Sequence, residues 1–120
     1  MTDPTPTMTV LSADEARRHP LTAIGLRAGA DAGDPQVSSL PIAEDASGSL
    51  GIWECMPGGW PVVDRPDTEV AVILGGRARL TDNATGEVRT VVAGDVIVLP
   101  PGWTGRWDVD ETLRKVFAIY

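Results

Sequence analysis

Residues 69–103 read EVAVILGGRARLTDNATGEVRTVVAGDVIVLPPGW. Apolar and polar positions alternate in short runs, and each run stops at Gly, Asn, Asp or Pro, the pattern of β-strands separated by tight turns. Within it, 77–82 (RARLTD) and 87–92 (EVRTVV) flank NATG, whose Asn83 and Gly86 supply hairpin turn chemistry. Asp82 and Asp95 read as turn residues whose carboxylates bond to nearby backbone N–H groups.

Outward from this stretch, 50–56 (LGIWECM) and 68–76 (TEVAVILGG) read as strands, followed after 95–102 by GRWDVDE and TLRKVFAIY. Residues 21–49 break into short apolar pieces between Gly, Asp, Pro and Ser, which suits connections and edge strands; no chemistry is expected there. Ser12 as N-cap, Glu15 as its capping-box partner and Pro20 as a stop predict one short helix over about 12–18. Residues 1–11, rich in Thr and Pro at their start, read as a flexible tail, and 12–120 as a single domain. About seven short strands and almost no helix imply an all-β antiparallel sandwich or small barrel with a narrow interior.

The chain has 120 residues, enough for one hydrophobic core. Its net charge of −7 disfavours nucleic acid and anionic membrane surfaces as partners. A single Cys excludes an internal disulfide, and neither a signal-peptide pattern nor an apolar run long enough for a bilayer is present, so a cytoplasmic location is expected.

The spacing of Glu69 to Gly76, followed by Gly94, Pro100 and Gly102, resembles the two-part signature of the cupin superfamily over about residues 51–120. WEC, AGD, PPGWTGRW and RKVFAIY are most similar to small single-domain cupins of the ethanolamine-utilisation-protein-like and ureidoglycine-aminohydrolase-like group. The resemblance implies a cupin jelly-roll β-barrel with its site in the barrel mouth, and a homodimer. It also exposes departures. Where metal-binding cupins carry His, this sequence has Val62, Asp64 and Gly105; only the Glu remains, at Glu69. Transition metals need three or four converging N, O or S donors. His19 lies outside the matched motifs and Cys55 reads as a small buried hydrophobe, so no metal and no other cofactor is expected.

If Glu69 faces the interior, strand alternation puts Ala71 and Ile73 beside it and sends Val70, Val72 and Leu74 outward. An interior carboxylate needs a partner. Lys115, the only lysine, shares a face with Phe117 and Ile119 and is the candidate; the two either satisfy each other as buried charges, with Lys115 alternatively snorkelling at the rim, or form the expected catalytic pair, Glu69 a base and Lys115 an oxygen-holding cation. Trp107 shares parity with Gly105 and reads as filler or as a stacking wall. Trp53, Trp103, Trp107 and Asp64 complete the expected substrate-binding set. Arg106 should face away from the interior, whereas the side taken by Glu54 is left open between two registers. The functional expectation is a metal-independent enzyme moving a proton on a small polar metabolite. The alternatives are a non-catalytic binding or accessory protein and a metal-dependent cupin using atypical carboxylate ligands.

Overall fold

The computed structural model describes residues 5–120; the part of the expected tail before Thr5 lies outside the described residues. Residues 5–10 are exposed and outside regular structure. A short helix, α1 (Ala13–Arg18), follows, closed by the anticipated capping box: Ser12 Oγ accepts the Glu15 N–H at 3.0 Å while Glu15 Oε1 accepts the Ser12 N–H at 3.4 Å.

Among the described residues, nine antiparallel strands form the rest: β1 (Thr22–Leu26), β2 (Ala32–Gly33), β3 (Gln36–Asp45), β4 (Gly48–Cys55), β5 (Gly58–Val62), β6 (Glu69–Asp82), β7 (Val88–Val92), β8 (Val96–Leu99) and β9 (Gly105–Ile119). The long β6 and β9 pair along their whole length and organise everything else. The second half of β9 continues through β4 to β3 and β1, and its first half continues through β5 to β2. On the far edge of β6, β8 pairs with its first half and β7 with its second. The sheet thus curls into two layers sharing β6 and β9, an all-β jelly roll.

Two expectations are corrected. Residues 68–76 and 77–82 are one strand, as are GRWDVDE and TLRKVFAIY, because register shifts at Ile73/Gly75, Gly75/Arg77 and Arg77/Ala78 let the ladder bend without ending. These bulges also reverse parity on β6: Glu69, Ala71 and Ile73 are buried before the bend, and Ala78 and Leu80 after it. In addition, the 21–49 region contains a full interior strand. β3 pairs on both edges, and Pro41, which cannot donate to a ladder, sits at its register shift.

Asp82 Oδ1 accepts the Ala84 N–H and Asp95 Oδ2 the Val92 N–H, each at 2.8 Å, as expected of turn carboxylates. Glu54 takes the outer face. Its Oε2 accepts from Arg114 Nε at 2.8 Å, and Arg114 Nη1 donates to the Ala16 and His19 carbonyls, fastening α1 to the outside of the barrel.

Gly76 and Gly86 separate two costs of replacing glycine. Both have positive φ, 84° and 74°, but a Cβ on Gly76 would run into the Thr112 carbonyl whereas one on Gly86 would meet open space. Gly86→Ala should therefore lose about 1 kcal/mol of stability, and Gly76→Ala about 3 kcal/mol or more. Urea unfolding of the two variants measures the difference; equal losses would mean that the β6 bend tolerates a side chain.

Candidate functional site

The inner faces of β1, β3, β4, β5, β6 and β9 enclose a cavity of about 390 Å³. Glu69 enters it from the start of β6 and Lys115 from the second half of β9, both buried, with Lys115 Nζ donating to Glu69 Oε2 at 2.6 Å. The other carboxylate oxygen accepts from Arg65 Nη1 at 3.1 Å, and Arg65 Nη2 reaches Asp67 Oδ1 at 2.9 Å. The carboxylate thus lies between two cations, which offset the desolvation that would otherwise exclude it from the interior.

Cross-strand pairing arranges the aromatic wall. Trp53 is the direct β4 partner of Lys115, and its ring centre lies 4.4 Å from Nζ; Trp107 approaches Nζ from β9 itself at 4.6 Å. Trp60 and Trp107 are direct partners across β5 and β9, and their indoles stack 6.3 Å apart at 14°. The ammonium is therefore held by one carboxylate and two π-faces.

Of the six residues expected at the site, Glu69, Lys115, Trp53 and Trp107 line this cavity. Asp64 and Trp103 do not. The alternation that would have brought Asp64 inward stops with β5 at Val62; Asp64 is exposed, at φ 49°, with its N–H donating to Thr104 Oγ1 at 3.0 Å. Trp103 precedes β9 on a turn and borders a separate cavity of about 400 Å³ beside β7 and β8. Its indole lies against Gly105, where a Cβ would overlap the ring. Its backbone has a supporting role, since the Trp103 carbonyl accepts the Arg65 N–H at 3.0 Å and the Arg65 carbonyl accepts the Gly102 N–H at 2.7 Å, fixing the chain that carries Arg65.

The cavity is also lined by two arginines and an indole that were not among the expected site residues: Arg27, Arg65 and Trp60. Arg65, four residues before Glu69, was within reach of a search for carboxylate partners. Arg27 carried no such signal, because it follows a bulged edge strand in a region of weak patterning. Arg106 faces away from the cavity as expected, bonding Asp108 and Asp31.

The donors present do not fit a transition metal. Val62 and Gly105, at two of the positions where metal-binding cupins carry His, face each other across β5 and β9 without a donor side chain between them. Both Glu69 oxygens are engaged by cations, and among the described residues no three His, Cys, Asp or Glu side chains gather as a ligand set. Cys55 is fully buried, and burial pushes its thiol up to about 11 against the opposing pull of Arg27 and Lys115.

Two measurements test this arrangement. Glu69→Gln removes the charge that Lys115 faces and should cost about 3 kcal/mol; Lys115→Met should cost less, because Arg65 still holds Glu69. In the double variant the losses should fall short of additive by about 1–3 kcal/mol, and additivity in denaturant unfolding would mean the two groups are not coupled. For Cys55, the folded state holds the thiol proton more tightly than the unfolded chain, whose ordinary value is 9.0. Its stabilisation is complete below pH 9 and is lost as pH rises toward 11. The stability difference between wild type and Cys55→Ala should shrink over that window, and a flat difference would place the thiol in contact with water.

A family model described as the EutQ-like cupin domain matches residues 42–117. A crystal structure of a DUF861-family protein of unknown function from Pseudomonas syringae pv. tomato superimposes with a TM-score of 0.77 at 23% identity, covering 87% of this chain; this chain spans 46% of that protein. Ethanolamine utilization protein Q from Salmonella typhimurium gives 0.65 at 18% identity, covering 84% of this chain and 94% of that one. A DUF861-family protein from Thermotoga maritima gives 0.55 at 27% identity, covering 59% and 78%. No curated protein sequence matches. The matched stretch takes in β4 to β8 and nearly all of β9, including both Glu69 and Lys115. The chain belongs to the EutQ-like cupin family.

Proposed function

We propose that the cavity takes up a small polar metabolite and that the protein acts on it by metal-independent proton transfer, with Glu69 as the base and Lys115 holding the oxygen where negative charge develops. The observation that carries this reading is the buried contact of 2.6 Å between Lys115 Nζ and Glu69 Oε2 on the wall of a cavity of about 390 Å³. A carboxylate has about four lone-pair directions; Lys115 and Arg65 occupy two. An ammonium has three N–H donors, of which Glu69 engages one.

In the proposed step, Glu69 takes a proton from an atom next to a carbonyl of the substrate. The electron pair left behind moves onto the carbonyl oxygen, beside Lys115. Return of the proton at a different atom completes an isomerisation; departure of a neighbouring group completes an elimination. The family supplies no substrate, since one fold hosts many chemistries.

A second reading, a binding protein without chemistry, is favoured by one observation: both Glu69 oxygens already have cationic partners, an arrangement that is complete as structure. The two readings separate at Glu69→Gln. Pools of small metabolites screened by Trp fluorescence identify a ligand, and proton NMR in D₂O then follows turnover and exchange of substrate hydrogens. An enzyme should lose about 10²- to 10⁴-fold in turnover in the folded variant, with affinity changed only a few-fold. Exchange that survives Glu69→Gln removes the base assignment, and a ligand that wild type neither converts nor exchanges leaves the binding reading.

A further inference from the structure

Of the cations lining the cavity, Arg65 and Lys115 are both paired, to Asp67 and Glu69 and to Glu69 respectively. Arg27 is different. It is half-buried, its guanidinium lies 5.2 Å from the centre of the Trp60 ring, and among the described residues the guanidinium makes one hydrogen bond, from Nη1 to the Ala28 carbonyl at 2.9 Å. Among the described residues it has no carboxylate within ion-pair distance. A guanidinium has five donors, so most of this fork is unengaged by the described residues.

The placement is built. β1 carries a bulge between Ala23 and Gly25, one residue longer than its β3 partner, and then continues to an Arg27 N–H donated to the Pro35 carbonyl at 2.9 Å. Bulges at strand edges re-aim the side chains beyond them, and here the side chain beyond lies over an indole that itself lines the cavity. Burial lowers the Arg27 guanidinium from its ordinary value, with Arg65 acting in the same direction and Cys55 and Glu69 opposing. A cation held in such surroundings without a counter-charge is costly.

Charge counting then sets the ligand. Three cations, Arg27, Arg65 and Lys115, meet two carboxylates, Glu69 and Asp67, which leaves one positive charge in a protein whose net charge is −7. We infer that Arg27 is the recognition residue for a monoanionic carboxylate on the ligand, bound through the guanidinium fork with the body of the ligand toward the Glu69–Lys115 pair. Planar, two-oxygen geometry matches a guanidinium fork, and a single uncompensated charge suits a carboxylate better than a phosphoryl dianion. The inference rests on the cavity being a small-molecule site and adds the substrate class: small carboxylic acids.

The test uses three carboxylates (formate, propionate and benzoate), their neutral amides (formamide, propionamide and benzamide) and inorganic phosphate. Each is titrated by Trp fluorescence into wild type, Arg27→Gln and Arg27→Lys. At least one carboxylate should bind saturably, its amide about 10- to 100-fold more weakly. Arg27→Gln should lose the preference for the carboxylate over its amide, and Arg27→Lys should recover part of it. Arg27→Gln should also unfold at the same temperature as wild type or higher, since a desolvated and unpaired charge has been removed; a lower midpoint together with unchanged carboxylate binding would make Arg27 a structural residue and overturn the inference. Amides binding as well as carboxylates would overturn it while leaving the cavity as a ligand site. Phosphate binding lost in Arg27→Gln, with no carboxylate response, would overturn the carboxylate class. No response to any probe would overturn the inference together with the small-molecule reading on which it rests.

Discussion

Glu69 is a carboxylate 5% exposed inside an apolar barrel, and much of the architecture around it supplies what keeps it there. An isolated buried carboxylate is untenable at a desolvation cost of several kcal/mol. Here Lys115 answers one oxygen from the adjacent strand β9 and Arg65 the other from the loop before β6. Each cation has its own support: two indoles for Lys115, and Asp67 with the Trp103 carbonyl for Arg65. The turn at 100–104, which looks remote from the cavity, is thereby connected to the charge at its centre.

The geometry of that pair depends on the length and bend of β6 and β9. Glu69 stands opposite Ile119, while Lys115 stands opposite Ile73, four positions along the same ladder. On a flat sheet that is a separation of about 13 Å, which side chains standing perpendicular to the sheet would not bridge. Curling of the sheet into a jelly roll brings the inward ends together. The bulges at Gly75 and Ala78 belong to the same bend, and the steric confinement of Gly76 against Thr112 shows how tightly the chain is folded there.

This explains which features were legible in the sequence. Period-two alternation within a strand is a local property, so once the cupin resemblance set Glu69 inward, the facing of Ala71 and Ile73 followed, and Phe117 and Ile119 indicated that of Lys115. The turn roles of Asp82 and Asp95 are equally local. Where a strand ends or a bulge intervenes, parity stops carrying information. Asp64 lies past the end of β5 and Trp103 before the start of β9, and both extrapolations failed at those boundaries. Arg27 depended on a one-residue bulge in an edge strand, which has no reliable sequence mark, and on a contact with Trp60 that exists only after the barrel closes.

The absence of histidine from the signature acquires a positive meaning in this setting. A metal site gathers neutral imidazoles and a carboxylate around a cation. In this cavity the carboxylate is retained while the cationic role passes to side chains, with Lys115 and Arg65 fixed on Glu69 and Arg27 left over. A metal offers its charge at one point near the carboxylate, whereas these three groups distribute charge along the wall from β1 to β9. On the proposed reading, such a wall orients an anion at one end and acts on it at the other. On the same reading, the net charge of −7 repels an anionic ligand at long range, so its selection rests on the contact with Arg27 inside the cavity.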